Sequence, residues 1–229
     1  MKQLPQAYIN RMKALLGDEF DSYVASLDSA PVRAFRVNTD KISTEEFEKI
    51  NEFSAEKIPY SETGYYFTSD KIGNHPFHHA GMIYVQEPAA MAPAECAEID
   101  PDWWVLDMCA APGGKSLMMS ENLTDDAVLT AFDRSQARQK LTKQNFDKKN
   151  LRHKVVWGDL ADLTGSFDLV LADVPCSNTG VFRRRPDALW NFSTAKMREL
   201  MAIQRDILES AFQRTASGGL LIYSTCSIG

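Results

Sequence analysis

Two cysteines occupy the positions in this chain best suited to chemistry. Cys176 lies in the run Asp173-Val174-Pro175-Cys176-Ser177-Asn178-Thr179-Gly180, and Cys226 in Tyr223-Ser224-Thr225-Cys226-Ser227. Each follows an apolar, strand-like stretch and sits in a loop of small polar residues, so each thiol is carried at a strand end. A cysteine so placed is a candidate nucleophile, because the thiolate form attacks electron-poor carbon. Carbon 5 of cytosine is a poor nucleophile. A thiolate adding to carbon 6 converts the ring into an enamine whose carbon 5 can attack a methyl sulfonium. Loss of the carbon 5 proton and expulsion of the thiol restore the ring. Two thiols allow one to attack while the other assists the proton steps or release.

A third loop has a different composition. Asp107 ends a strand-like run and is followed by Met108, Cys109, Ala110, Ala111, Pro112, Gly113, Gly114, Lys115 and Ser116, residues mostly small enough for backbone to approach a ligand closely. Asp133 ends the next strand, twenty residues after Gly113, the spacing at which an acid takes ribose hydroxyls in nucleoside-binding folds. The dinucleotide pattern GxGxxG is absent. Gly114-Lys115-Ser116 imitates the end of a Walker A loop, but the required first glycine falls at Cys109. A nucleoside cofactor without phosphates, S-adenosylmethionine, suits the loop better. The plainer alternative is a glycine turn that packs helix on strand.

Asp173 is expected in the crevice beside the cofactor, where a carboxylate can accept from an exocyclic amine, as acidic residues do from cytosine. Arg183, Arg184 and Arg185, followed by Pro186-Asp187, offer contacts to a phosphate backbone, or form a solvated turn. Cys96 reads as a small core hydrophobe and Cys109 as a loop-packing residue. His75, His78 and His79 lack a fourth ligand, so no metal is expected. They read as a loop facing RNA or a domain interface.

These loops require elements to hold them. Helical patterns cover 7–16, 20–27 and 44–53, the last opened by Ser43-Thr44 with two acids in its first turn. Strand patterns cover 34–38 and 64–67, so residues 1–80 read as a small α+β subdomain. A helix over 86–97, with Pro88 in its first turn, leads into a second domain, 81–229. There strands at 104–108, 127–132, 154–157, 167–172 and 220–224 alternate with helices at 115–122, 135–148 and 194–215. This alternation implies an α/β, doubly wound, Rossmann-like parallel sheet. Gly218-Gly219 is expected to stop the long helix. The chain ends three residues after Cys226 with nothing to cover the last strand, so the sequence is expected to be a fragment.

Bulk properties narrow the setting. The chain has 229 residues, 44% hydrophobic and 24% charged, without an apolar run that spans a membrane or a signal peptide. Four widely spaced cysteines without CxxC suit neither a zinc site nor a disulfide framework, which fits a reducing cytoplasm. The formal charge of −6 argues against a nucleic-acid partner until it is located: residues 1–100 carry −7 and residues 101–229 carry +1. Local basic clusters, 134–154 and 183–185, matter more for phosphate contact than the total, although the first reads more readily as a solvated helix face than as a nucleic-acid groove.

Taken together and in order, DMCAAPGGKS, AFD, DVPCSNTG with RRRPDALW, and YSTCS resemble the Sun family of RNA cytosine-5 methyltransferases, most of all bacterial 16S ribosomal RNA enzymes. RVNTDK and HHAGMIYVQEPAAM extend the resemblance over residues 30–229. It implies a class I methyltransferase sheet and an RNA-binding leading subdomain. Cys109, Ala110, Ala111, Pro112, Gly113, Gly114 and Lys115 would line the S-adenosylmethionine site, with Asp133 on the ribose and Asp159 by the adenine. Asp173 would lie near the methionine end and the target base. Cys226 would be the nucleophile, Cys176 would help release product, and Lys115 would help the base chemistry. Arg183 to Arg185 would bind substrate RNA, and the chain would act as a monomer. Family members continue past the final TCS with an acidic stretch and two more strands, and many carry an RNA-binding extension. Alternatives are a transfer RNA enzyme, an amino-group methyltransferase using the Asp173-Val174-Pro175-Cys176 loop, and an inactive chain that binds ribosomal RNA.

Overall fold

A computed structural model describes residues 4–68, 72–148 and 154–228. The helical patterns fold as α1 (Gln6–Leu16), α2 (Phe20–Ser26) and α3 (Thr44–Ile50). α3 starts at a capping box: Ser43 Oγ accepts from Glu46 N, and the Glu46 carboxylate accepts from Ser43 N. β1 (Ala34–Val37), β2 (Glu56–Lys57), β3 (Gly64–Tyr66) and β4 (Ile83–Val85), with α4 (Pro76–His79) before β4, make an antiparallel sheet in the order β2-β3-β1-β4. Its aromatic layer is Phe35, Phe47, Phe53, Tyr65 and Phe67.

α5 (Pro88–Glu95), opened by Pro88 at its first position, leads to the second sheet. β5 (Trp104–Asp107), α6 (Gly114–Ser120), β6 (Val128–Asp133), α7 (Gln136–Lys148), β7 (Lys154–Trp157), β8 (Phe167–Asp173), α8 (Thr194–Arg214) and β9 (Thr215–Ser224) follow. The order is β7-β6-β5-β8-β9. β5 pairs in parallel with β6 and β8, with Val105 opposite Leu129 and Leu169, and β6 pairs in parallel with β7. Because β5 has β6 on one side and β8 on the other, the crevice beyond their carboxyl ends is the topological switch point. Val105, Leu106, Leu129, Leu169 and Leu171 are wholly buried, as strands covered on both faces must be.

The glycine expectation needs correction. α8 stops at Arg214, and β9 runs through Gly218 and Gly219. The Arg214 guanidinium anchors that helix end by donating to the carbonyls of Leu160 (2.6 Å) and Leu163 (2.8 Å). Gly219 instead permits a close backbone approach, since a Cβ there would lie 2.7 Å from the Asp168 carbonyl oxygen.

By its contacts the chain divides into two compact units. One holds residues 1–31, 174–209 and 224–229; the other holds 32–173 and 210–223. This differs from the 1–80 and 81–229 division expected from the sequence. In the larger unit the two sheets share one core, in which Ala34, Ile58 and Met91 pack with Val105, Leu129 and Leu169. Arg36, fully buried on β1, ties this core to α6: Nη1 donates to Glu121 at 2.5 Å, Nε donates to Gln86 at 3.2 Å, and the guanidinium lies 5.4 Å from the Tyr84 ring centre. In the smaller unit α1 and α2 pack on Phe182, Ala188 and Phe192. Tyr8, Met12, Phe20, Leu27, Phe182 and Ala188 form its core, and the Tyr8 ring meets Phe182 and Phe192 edge-on at 5.1 and 5.2 Å.

Candidate active site

The candidate residues fall into two groups, one in each unit. In the larger unit the loop after β5 is built around Asp107. Its carboxylate is buried and accepts from Ser116 Oγ (2.6 Å) and Cys109 N (3.2 Å), which folds the loop back onto the start of α6. Burial pushes its pKa up to about 6, against the two hydrogen bonds. Gly113 takes φ +107°, a left-handed conformation natural to glycine, and its N–H bonds to Ala110 O at 2.6 Å. α7 fixes the other side of the loop: Arg138 donates to Ala111 O and Asn145 to Pro112 O, each at 2.7 Å. Asp107, Ser116, Arg138 and Asn145 escaped the sequence reading as site residues. The first two stood inside the motif, but nothing local marks the α7 pair.

Asp133 Oδ1 accepts from Ser135 N at 2.9 Å. Its Oδ2 is buried without a hydrogen-bond donor; Arg138 Nη1, at 3.4 Å, supplies charge but not bond geometry. A buried carboxylate oxygen with acceptor capacity is what a ribose hydroxyl would satisfy. Asp159 is exposed and caps the short turn Leu160–Asp162, accepting from Ala161 N at 2.9 Å. Lys115 Nζ donates to Asp173 Oδ2 at 2.7 Å, joining the start of α6 to the end of β8. Cys109 is held protonated: burial and the charges of Asp107, Asp133 and Asp173 push its thiol up to about 12. That fits a packing residue. Cys96 is a correction, because it is exposed at the end of α5 rather than in the core.

The histidine loop also resolves into separate parts. His75 caps α4, its Nδ1 accepting from Phe77 N at 3.2 Å, and its ring packs against Phe53. His78 and His79 line a cavity of about 350 Å³ with Tyr84 and Asn145.

The smaller unit brings the two thiols together. The Cys176 and Cys226 sulfurs are 2.7 Å apart, and neither forms a disulfide. Two loops hold them in register, 176–180 and 224–228. Val174 N donates to Ser224 O (3.0 Å), Ser177 N to Ser227 Oγ (3.1 Å), Gly180 N to Cys226 O (2.9 Å) and Ile228 N to Thr179 Oγ1 (2.8 Å). Asn178 lies to the Cys226 side of the pair: Cys226 Sγ donates to its Oδ1 at 3.1 Å, while Cys176 Sγ is 4.0 Å away. Gln204 of α8 donates to Pro175 O at 2.9 Å and fixes the loop from behind. The Cys176 thiol is pulled down to about 5, first by the Cys226 hydrogen bond and further by Ser227, Thr225 and the Asn178 backbone, with burial opposing. A cavity of about 250 Å³ opens beside them, lined among others by Cys176, Asn178, Phe192 and Lys196. It has the volume of about eight waters, room for a pyrimidine ring. Arg185 forms a bidentate pair with Asp187, at 2.9 Å through Nη2, so it braces the turn as well as presenting charge.

The central parallel strands and the loops at their carboxyl ends form a Rossmann-like methyltransferase fold. Two solved structures share the fold: a methyltransferase homologue from Pyrococcus horikoshii (28% identity, TM-score 0.85, covering 98% of this chain and 74% of that one) and NSun6 from the same organism, solved with SFG (22%, 0.87, 100% and 84%). A model described as 16S rRNA methyltransferase RsmB/F matches residues 95–229, and one described as the N-terminal domain of 16S rRNA methyltransferase RsmF matches residues 4–88. The chain belongs to the RsmB/F family of methyltransferases. Ribosomal RNA small subunit methyltransferase F of Vibrio cholerae is 33% identical over 98% of this chain and 51% of its own length, and the Escherichia coli protein of that name is 31% identical over 98% and 50%. The chain thus spans about half the length of the curated relatives it matches.

Proposed function

We infer that this chain methylates carbon 5 of cytosine in RNA, with small-subunit ribosomal RNA as substrate and S-adenosylmethionine as cofactor. The observation that carries this reading is the thiol pair, two sulfurs 2.7 Å apart and held by a ladder of backbone and hydroxyl hydrogen bonds. Amino-group methylation requires no such pair. The names of the relatives support the substrate.

The residues of the larger unit suit the cofactor. The Cys109–Lys115 loop presents small side chains and a left-handed glycine, and Asp133 Oδ2 is a buried acceptor still to be satisfied. When bound, S-adenosylmethionine supplies an electrophilic methyl group. Asp133 would hold the ribose, and Asp159 would lie on the adenine side. Lys115 holds the Asp173 carboxylate in place, where it would accept from the cytosine amine. Cys226 adds to carbon 6, forming the sulfur–carbon bond and making carbon 5 electron-rich. After methylation the carbon 5 proton leaves to a base, with Asp173, held by Lys115, as the candidate. The sulfur–carbon bond then breaks, with Cys176 assisting release. RNA contact is assigned to local faces: Arg183 to Arg185, and the small antiparallel sheet with its histidine cavity.

The test uses RNA containing 5-fluorocytosine, whose fluorine cannot leave as a proton does. With S-adenosylmethionine it should trap a covalent adduct on the Cys226 peptide, read by mass spectrometry. Cys226→Ala should give none, and Cys176→Ala should accumulate adduct even on ordinary RNA. No adduct from folded chain shown by calorimetry to bind the cofactor would refute the reading. Bisulfite sequencing of ribosomal and transfer RNA, with and without the gene, identifies the substrate class.

A further inference from the structure

We propose that Asn178 is a positioning residue that assigns the proton shared by the thiol pair to Cys226, leaving Cys176 as the sulfur that carries the charge at rest. The proposal deepens the reading above but needs only the geometry of the two loops. A carbonyl oxygen attracts a thiol proton and repels a thiolate. Asn178 Oδ1 lies 3.1 Å from the Cys226 sulfur and 4.0 Å from that of Cys176, so it favours the proton on Cys226.

The backbone explains why asparagine can stand there. Asn178 has φ +59°, a left-handed conformation that asparagine tolerates better than most residues. In that turn its side chain reaches Cys226 of the other loop. The polar groups beside Cys176 act in the same direction. Cys176 is stabilised as an anion by hydrogen bonds from Cys226, Ser227 and Thr225 and by the Asn178 backbone. The charged side chain of the adjoining cavity is Lys196, which is paired at 2.8 Å with Glu199.

The assignment gives the second cysteine a balanced role in both steps. When Cys226 attacks, its S–H bond breaks, the proton passes to the Cys176 sulfur, and the freed electron pair forms the bond to carbon 6. When that bond breaks, its electron pair returns to the Cys226 sulfur, which takes the proton back from Cys176. No outside acid, base or oxidant enters either transfer.

The experiment is limited alkylation with iodoacetamide at pH 6, without RNA or cofactor, read as the initial labelling ratio by peptide mass mapping. The unsubstituted chain should label Cys176 faster than Cys226 by about tenfold or more, because alkylation tracks thiolate. Asn178→Gly keeps the left-handed turn and removes the oxygen, so the ratio should fall towards one. Asn178→Asp keeps an oxygen on the Cys226 side, so both cysteines should react more slowly in the same order. Labelling of Cys226 first in the unsubstituted chain, or an Asn178→Gly ratio equal to it, overturns the proposal. Loss of order in Asn178→Asp does so as well. Failure of the 5-fluorocytosine adduct would leave these ratios unchanged, so the two readings fail separately.

Discussion

Replacing Gly180 with alanine tests the coupling of the two loops most directly. Gly180 has no positive φ, so alanine is not strained by its own backbone. The obstacle is space: a Cβ at this position would lie 2.5 Å from the Cys226 carbonyl oxygen and 3.3 Å from its carbon. Contacts below 3.0 Å are essentially never seen and ordinary contact begins near 3.4 Å, so the loop must retreat by about 0.5–0.9 Å. The retreat lengthens the 2.9 Å bond from Gly180 N to Cys226 O and shifts the Cys226 sulfur with its backbone. Losing one such bond costs about 1 kcal/mol, which lowers the melting temperature by roughly 2–4 °C in a chain of this size. The kinetic effect should be far larger, since a misplacement approaching 1 Å can slow a reaction by about 10²-fold. The assay is the rate of adduct formation with 5-fluorocytosine RNA beside a thermal melt. An unchanged rate would refute the claim that this contact seats the nucleophile. Thr179→Ala, which removes the acceptor for Ile228 N and puts no atom in its place, should produce a smaller drop in the same direction.

Three further outcomes are expected. Glu121→Gln leaves the buried Arg36 charge without its counter-ion and should destabilise the chain by about 3–5 kcal/mol in urea unfolding, whereas an apolar pair at both positions should recover most of the loss. Asp107 has a raised folded pKa, about 6 against 3.8, so the fold favours its protonated form: its contribution is complete below pH 3.8 and is lost as pH rises through 6. Measured as the difference between parent and Asp107→Asn, that loss should amount to roughly 3 kcal/mol. Arg183→Ala with Arg184→Ala should weaken RNA binding and flatten its salt dependence by about 0.7 in the logarithmic slope for each phosphate contact removed, as read by filter binding.

The parallel sheet was legible because its signals are local. Apolar runs such as Phe167–Asp173 and helical stretches such as Gln136–Lys148 announce themselves within one element. The motif loops were legible for the same reason. β2 and β4, of two and three residues, are too short to carry a pattern. Gly218-Gly219 misled because glycine marks a helix stop and a tight strand crossing alike, and only the nearby Asp168 carbonyl separates the two. Cys96 misled because a lone cysteine gives no sign of which helix face it occupies. Arg36 and Glu121 lie 85 positions apart, and no short-range signal joins a basic residue on one strand to an acid at a later helix end. Asn178 left one usable trace, an asparagine before Thr-Gly in a strand-end loop, the kind of place where φ turns positive.

The packing of Tyr8 on Phe182 and Phe192 has a consequence for the chain as it is made. The first two helices find their apolar partners only after residues 174–209 exist. At roughly 5–20 residues per second, a ribosome takes about ten to thirty seconds to add the intervening stretch. During that interval Tyr8, Met12, Phe20 and Leu27 lack Phe182, Ala188 and Phe192 to cover them. A nascent chain arrested before residue 174 should therefore expose a sticky amino-terminal hairpin and recruit a chaperone there. One released after the Cys226 loop should hide it.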